Sequence, residues 1–389
     1  MRVLHVTSSA DPIGGGVIES VRQIGLHLEG QGYHSEVACL DCPDAPWLKG
    51  FPLPIHALGP SRTSYRFSAT LLPWLRANAP RFDAVLVHGL WQYGSFAVWS
   101  ALHGTETPYY VYPHGMLDPW FKRTYPLKHL KKTLYWPWGE YRVLRDARAV
   151  LFTCEEEKRL ARQSFHLYRA REEVVPLGTA PPPEDTVKSR AAFLAAWPTL
   201  AGKRLLLFLS RIHVKKGCDL LLEAFAKVAD SDPALHLIMA GPDRDGLQEV
   251  LQQLARSLGI EERVTWAGML SGEQKWGAFY AAEAFVLPSH QENFGIAVAE
   301  ALACGLPVLI SNKINIWREI EQDGAGLVAN DDVAGTTQML EKWLIFDSTA
   351  KQEMGRAAIA CYRKHFDIAR MYESLLRILE AKPETVERK

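Results

Sequence analysis

The chain has 389 residues, with 44 Lys and Arg balanced by 44 Asp and Glu and 48% hydrophobic residues. That balance excludes a global electrostatic pull toward nucleic acid or membrane, so any such attraction has to be local. No segment reaches the roughly 20 uncharged apolar residues of a membrane-spanning helix, and the sequence starts on a strand pattern, Arg2-Val3-Leu4-His5-Val6, rather than a signal peptide. The expectation is a cytoplasmic protein large enough for two domains.

Apolar runs predict strands at 2–8, 34–40, 83–88, 109–113, 149–154 and 172–177, then at 204–210, 235–240, 264–267, 284–287, 307–311 and 326–329. Helical patterns alternate with them, which predicts an α/β fold of parallel sheets covered on both faces. Leu177-Gly178-Thr179-Ala180-Pro181-Pro182-Pro183-Glu184-Asp185 can be neither helix nor inner strand and reads as a linker. It separates two doubly wound, Rossmann-like domains, over 1–180 and 181–365, leaving an amphipathic helix in 366–389. Doubly wound sheets bind ligands beyond the carboxyl ends of their strands, in a cleft the two domains are expected to share.

The strand ends, in order, carry the chemistry. Asp11-Pro12-Ile13-Gly14-Gly15-Gly16-Val17-Ile18-Glu19 follows the first strand, where glycines and a helix start suit close approach by an anion. The dinucleotide fingerprint is broken there, since Glu19 stands where the third Gly would be and no acidic residue closes the second strand. Cys39 and Cys42 have redox-motif spacing, but no second Cys or His pair completes a zinc set. His88-Gly89 and the Gly94 loop follow a strand and are weaker candidate ligand contacts. His114, in Tyr112-Pro113-His114-Gly115, ends the next one. A lone His is more often structural than catalytic, and both readings stay open on the residue alone.

From Trp120 to Arg148 the chain is basic and aromatic together, including Trp120-Phe121-Lys122-Arg123 and Leu130-Lys131-Lys132-Thr133-Leu134-Tyr135-Trp136. Two readings fit: an interfacial segment for anionic lipid, or a basic solvated face over an aromatic core.

In the second half, Ser210-Arg211-Ile212-His213-Val214-Lys215-Lys216-Gly217 puts Arg211 and Lys216 at a strand end, a planar fork and a point charge for phosphate oxygens, with Lys215 facing solvent. Two Asp-x-Asp triplets invite a metal reading. Asp230 and Asp232 precede a strand, at its wrong end; Asp243 and Asp245 are better placed, but Arg211 and Lys216 already bring positive charge, so neither a metal nor a cofactor is expected.

The most informative stretch runs from Ser289 to Val308. An apolar strand stops at Pro288, Glu292 lies in the following loop, and a helix from Gly295 to Cys304 carries Glu300 before Gly305 closes it. Amides of Phe294, Gly295 and Ile296 suit an anion, while ionised carboxylates only accept hydrogen bonds and so suit sugar hydroxyls. A ligand with anionic and polyol parts, a nucleoside diphosphate sugar, fits; a solvated loop Glu and a helix-face Glu are the plain alternative.

This Glu-x7-Glu segment, with its Phe-Gly and Ala-Leu-Ala-Cys-Gly-Leu-Pro-Val, closely resembles the signature of retaining glycosyltransferases of the GT-B fold, in particular glycosyltransferase family 4. The resemblance covers the whole chain, strongly over 204–330 and weakly elsewhere. It implies that Glu292, with Asn293, Phe294 and Gly295, meets the donor sugar and that Glu300 meets the ribose. It implies that Arg211 and Lys216 clamp the diphosphate, that backbone of Met269 and Leu270 meets the base, and that Gly15 and Gly16 lie between diphosphate and acceptor. His114 is implied near the donor sugar, and the last helix is implied to cross back onto the first domain.

The resemblance further implies a UDP- or GDP-sugar donor, a glycan or polyprenyl-diphosphate-linked acceptor of bacterial surface polysaccharide synthesis, and retention with the diphosphate taking the acceptor proton. If the basic aromatic segment is interfacial, the protein is peripheral on the inner face of the cell membrane. The competing readings are a noncatalytic sugar-binding or assembly subunit, an epimerase or phosphorylase of the same fold, and, from another class, a dinucleotide oxidoreductase.

Overall fold

A computed structural model describes residues 1–243 and 245–381. The chain divides into two compact units, one built from Met1–Gly178 together with the segment from Ile368 on, the other from Thr179–Asp367.

The first unit holds strands β1 (Arg2–Thr7), β2 (His34–Cys39), β3 (Ile55–Ala57), β4 (Ala84–His88), β5 (Tyr109–Tyr112), β6 (Ala149–Phe152) and β7 (Glu172–Val174). They form one sheet in the order β3-β2-β1-β4-β5-β6-β7, and every pairing is parallel. Strand order reverses between β1 and β4, the point where such sheets open a crevice beyond their carboxyl ends. β3 is the one strand that patterning missed: three residues close behind Pro52 and Pro54 and followed by Gly59 and Pro60 make too short an apolar run to stand out.

Parallel strands are buried on both faces, which explains the near-continuous apolar runs. Leu4, Val6, Val85, Val87, Val111 and Val150 pack into one core cluster on one face. The last helix, Ile368–Glu380, also belongs to this unit. Its buried Ile368, Met371 and Leu375 recur at helical spacing, each contributing about 1.5–3 kcal/mol by leaving water. The Tyr372 ring meets His27, on the helix Gly16–Gly30, at 4.7 Å between centroids.

The second unit holds β8 (Arg204–Leu209), β9 (Leu235–Ala240), β10 (Val264–Gly268), β11 (Ala284–Leu287), β12 (Val308–Ser311) and β13 (Gly326–Ala329), in the order β10-β9-β8-β11-β12-β13, again all parallel. Its order reverses between β8 and β11. Asp185 caps the helix Thr186–Ala196 by accepting from the Lys188 amide, so the Pro-rich stretch ends where that helix begins. Among the described residues no helix is long and apolar enough to cross a membrane.

Candidate functional site

In the second unit the two motifs singled out from sequence leave the adjacent strands β8 and β11, on either side of the strand-order reversal. They are stitched together by backbone. The Lys215 carbonyl accepts from the His290 amide at 2.8 Å and from the Ser289 hydroxyl at 2.9 Å. Gly217 sits at φ 66°, and a Cβ there would lie 2.3 Å from the Pro288 carbonyl oxygen, so only glycine allows the loops to approach this closely. Lys215, expected to face solvent, is half-buried and serves the join through its main chain.

The join brings the Lys216 ammonium into direct contact with the Glu292 carboxylate. Lys216 is buried. Burial, then the like charges of Lys215 and Arg211, push its ammonium well below 10.5, so Glu292 is the group that keeps a charge tolerable there. Arg211 is exposed at the start of the same loop.

Glu292 is held by its backbone. Its amide donates to the Lys313 carbonyl and its carbonyl accepts from the Asn315 amide, each at 3.0 Å, which ties the loop to the end of β12. The Asn315 side-chain amide reaches Asn293 Oδ1 at 3.5 Å. Phe294 is buried edge-on to Phe366, so only its backbone is offered to a ligand. Gly295 takes φ 78° and ψ 69°, a left-handed turn that starts the helix Ile296–Ala303.

Glu300, on that helix, is buried and receives the Lys275 ammonium at 2.7 Å. Lys275 stands on the helix Gly272–Ala281, which follows Met269 and Leu270 at the end of β10. Met269 is exposed and Leu270 partly so. No spacing in the sequence announces Lys275, and its role is visible only in the fold.

Asp243 accepts from the amides of Asp245, Leu247 and Gln248 and so caps the helix Leu247–Ser257. Asp232 is bound to Arg204. Among the described residues one group has metal-like composition, Asp323, Cys361 and His365. Its carboxylate is already met by Lys364 and His365, and burial pushes the Cys361 thiol up to about 12, which disfavours a thiolate ligand.

In the first unit the loop after β1 contains the short turn Pro12–Gly14 and the start of the helix Gly16–Gly30, with Gly15 and Gly16 between. Asp41 accepts from the Ser9 hydroxyl at 2.7 Å and the Ala10 amide at 2.6 Å. This corrects the expectation of no acidic residue after the second strand: Asp41 stands two residues beyond β2 and holds this loop.

His114 has φ 49°, a costly conformation for a residue with a Cβ. Buried Glu157 secures the turn by accepting from the Gly115 amide at 2.6 Å, and from the Thr153 amide at 2.7 Å and hydroxyl at 2.8 Å. His114 Nε2 lies 3.1 Å from His88 Nδ1, and His88 Nε2 lies 3.0 Å from His5 Nδ1. Burial lowers His114 to about 4 and His5 to about 3, and burial followed by His5 and His114 themselves lowers His88 well below 6.5.

All three are therefore neutral at pH 7, whereas an unfolded chain protonates its histidines below about pH 6.5. Folding stability from this cluster is present above that value and is lost as pH falls from 6.5 toward 4, with His236 acting in the same direction. The expected result is a urea midpoint that drops between pH 6.5 and 5, because these four histidines outweigh buried Glu140, whose carboxyl burial raises to about 7 and which gains stability as pH falls through the same range. A flat midpoint over that range would contradict neutral burial of the cluster.

The basic aromatic segment resolves into the helices Trp120–Thr124, Pro126–Tyr135 and Glu140–Asp146. Trp136 is buried and stacks on Phe165 at 4.4 Å, giving the aromatic core. The outer face is not merely basic: Leu127, Leu130, Leu134 and Trp138 are 77%, 56%, 71% and 68% exposed, with exposed Lys122, Arg123, Lys128 and Lys131 around them.

Two family models match this chain, "Glycosyl transferase 4-like domain" over residues 15–178 and "Glycosyl transferases group 1" over 190–359. A D-inositol 3-phosphate glycosyltransferase of Nocardia farcinica is 34% identical over 256 residues, 62% of this chain and 54% of that protein. A mannosylfructose-phosphate synthase of Agrobacterium fabrum is 33% identical over 133 residues, 33% of this chain and 29% of that protein. The chain thus spans about half or less of the length of these curated relatives. Among solved structures, Anabaena HepE in complex with UDP and glucose superposes with a TM-score of 0.78 at 18% identity, covering 98% of this chain and 99% of that one. WaaG, a glycosyltransferase involved in lipopolysaccharide biosynthesis, superposes with a TM-score of 0.70 at 18% identity, covering 98% and 100%. At these identities the likeness shows the fold, which is GT-B.

Proposed function

Because the chain belongs to the group 1 glycosyl transferases, we propose that it moves a sugar from a nucleoside diphosphate sugar to a hydroxyl of a glycan or lipid-linked acceptor. The observation that carries this reading is the contact between Lys216 and Glu292 where the strand order of the second unit reverses. Without donor each neutralises the other. With donor, Lys216 and exposed Arg211 turn to the diphosphate, and Glu292 turns to hydroxyls of the sugar.

Transfer needs charge stabilised on the leaving diphosphate and a sugar cation kept from water. Arg211, Lys216 and the helix start at Gly295 supply the first. Glu300, already oriented by Lys275, accepts from the ribose hydroxyls, and the backbone at Met269 and Leu270 meets the base. His114, neutral, hydrogen-bonds the sugar, and Gly15 and Gly16 allow backbone approach to it. No side chain is assigned as base; the diphosphate oxygen takes the acceptor proton on the face it leaves, with retention. The leucine face of the helix Pro126–Tyr135 supports a lipid-linked acceptor of surface polysaccharide synthesis, and a peripheral position on an anionic membrane.

UDP, GDP and ADP with their common sugar conjugates, tested without metal by thermal shift, check the donor site. Selective stabilisation by one nucleotide family is expected, about 2.7 kcal/mol at a hundredfold excess over Kd. That HepE is solved with UDP and with UDP-glucose makes the uridine series the first choice. A chelator should leave turnover unchanged. No shift with any nucleotide at millimolar concentration would favour a noncatalytic subunit.

A further inference from the structure

His5, His88 and His114 come from β1, β4 and the turn after β5, and they line up for a geometric reason. In the sheet register His88 pairs with Thr7, two residues beyond His5, and Tyr112 pairs with His88, two residues before His114. Each step moves one strand sideways, about 4.8 Å, and two residues forward, which keeps all three side chains on one face because strand side chains alternate with period two. The row runs obliquely from mid-sheet to the carboxyl edge. Its rings are nearly coplanar and meet edge to edge, with centroids 5.3 Å apart and planes 23° apart between His5 and His88, and 5.4 Å and 21° between His88 and His114.

A neutral imidazole has one N–H and one bare nitrogen, so a chain of them has a direction. Nδ1 of His5 faces Nε2 of His88, and Nδ1 of His88 faces Nε2 of His114. Two arrangements satisfy both contacts: every proton on Nδ1, or every proton on Nε2. The chain ends at His5 Nε2, which is fully buried and has no hydrogen-bond partner among the described residues. With protons on Nε2, that end would be a buried N–H without acceptor. With protons on Nδ1, it is a bare lone pair, the milder of the two defects.

We infer that His5 and His88 are positioning residues that lock His114 as the Nδ1–H tautomer, a neutral hydrogen-bond donor, through this three-histidine relay. Free neutral histidine in water prefers the other tautomer, so the relay imposes a choice. Locked in this way, His114 donates from Nδ1 to an oxygen of its ligand and cannot take the acceptor proton at that atom. The relay rests on the first unit alone; its service to transfer rests on the function proposed above.

The test is a long-range 1H–15N correlation spectrum of the full chain with 15N-labelled histidine at pH 7. The expected spectrum shows His5, His88 and His114 each protonated on Nδ1 and bare on Nε2. A proton on His114 Nε2, or a mixture, would overturn the lock. His5→Asn keeps an amide donor where Nδ1 stands and should preserve the pattern, whereas His5→Leu removes the donor and should turn His114 into a mixture. An unchanged His114 in folded His5→Leu would also overturn the relay. If His5→Leu does not fold, the wild-type and His5→Asn spectra still decide. Once a donor is known, kcat should fall about tenfold in His5→Leu, with KM unchanged, and recover in His5→Asn. Complete absence of transfer in the wild type would strike the proposed function and leave the tautomer result standing.

Discussion

Lys216→Ala is expected to lower transfer by about a thousandfold, the scale of removing one preorganised charge from a leaving group in a water-poor site. The same substitution leaves Glu292 partly buried without its partner. Breaking such a pair from one side costs about 3–5 kcal/mol, because the desolvation of the remaining carboxylate is no longer offset. Glu292→Gln removes the charge yet keeps the shape, so it should cost less stability while losing a comparable share of activity. Combined, Lys216→Ala and Glu292→Gln should destabilise by less than the sum of the two, since each removes what the other leaves unpaired. Denaturant midpoints and turnover on the same four proteins measure both effects. Additive stabilities would mean the contact carries no coupling, and near-normal turnover in both single variants would remove the donor site from this loop.

Replacing Leu127, Leu130 and Leu134 together by Ser is expected to abolish binding to anionic vesicles while leaving the fold intact. These side chains are more than half exposed, so the folded protein loses little when they become polar. A membrane loses much more. Full burial of a Leu is worth about 1.5–3 kcal/mol, so even partial insertion of three supports a loss on the order of a thousandfold in partition. Lys128→Glu with Lys131→Glu should weaken binding at low salt and less at high salt, since each basic residue near an anionic surface contributes about 1 kcal/mol and is screened. Flotation with vesicles of neutral lipid alone and with anionic lipid added separates the apolar and charged contributions. A wild-type chain that never floats would refute the membrane contact, and a triple variant that floats like the wild type would refute this helix as its seat.

Both expectations start from motifs that were legible before the fold, but the physics needed to state them was not. Arg211, Lys216 and Glu292 could be singled out because each lies just beyond a predictable strand end, and Glu300 because it rides the helix that follows, and local periodicity marks those places. That Glu300 is met by Lys275 and Glu292 by Lys216 could not be read, since nothing local links the partners. Phe294 was expected among the donor contacts, and its ring turns out to be core against Phe366. Asp41 lies just past the strand, where an acidic residue reads as a turn. His5 is one polar residue in an apolar strand and by itself reads as a tolerated exception, although buried polar groups of that kind usually have partners.

By itself the sequence determined two parallel α/β units, the linker between them, and the strand ends at which charged residues would gather. Those features depend on alternation, helical spacing and turn residues within a dozen positions, and such short-range preferences act wherever the chain goes. The tertiary structure alone decided the pairings: Lys275 with Glu300 across 25 residues, His88 with His114 across 26, and His5 with His88 across 83. A parallel sheet sets neighbours by strand order rather than by sequence. The charge of a buried lysine, or the tautomer of a histidine, is fixed by whichever group the register places beside it.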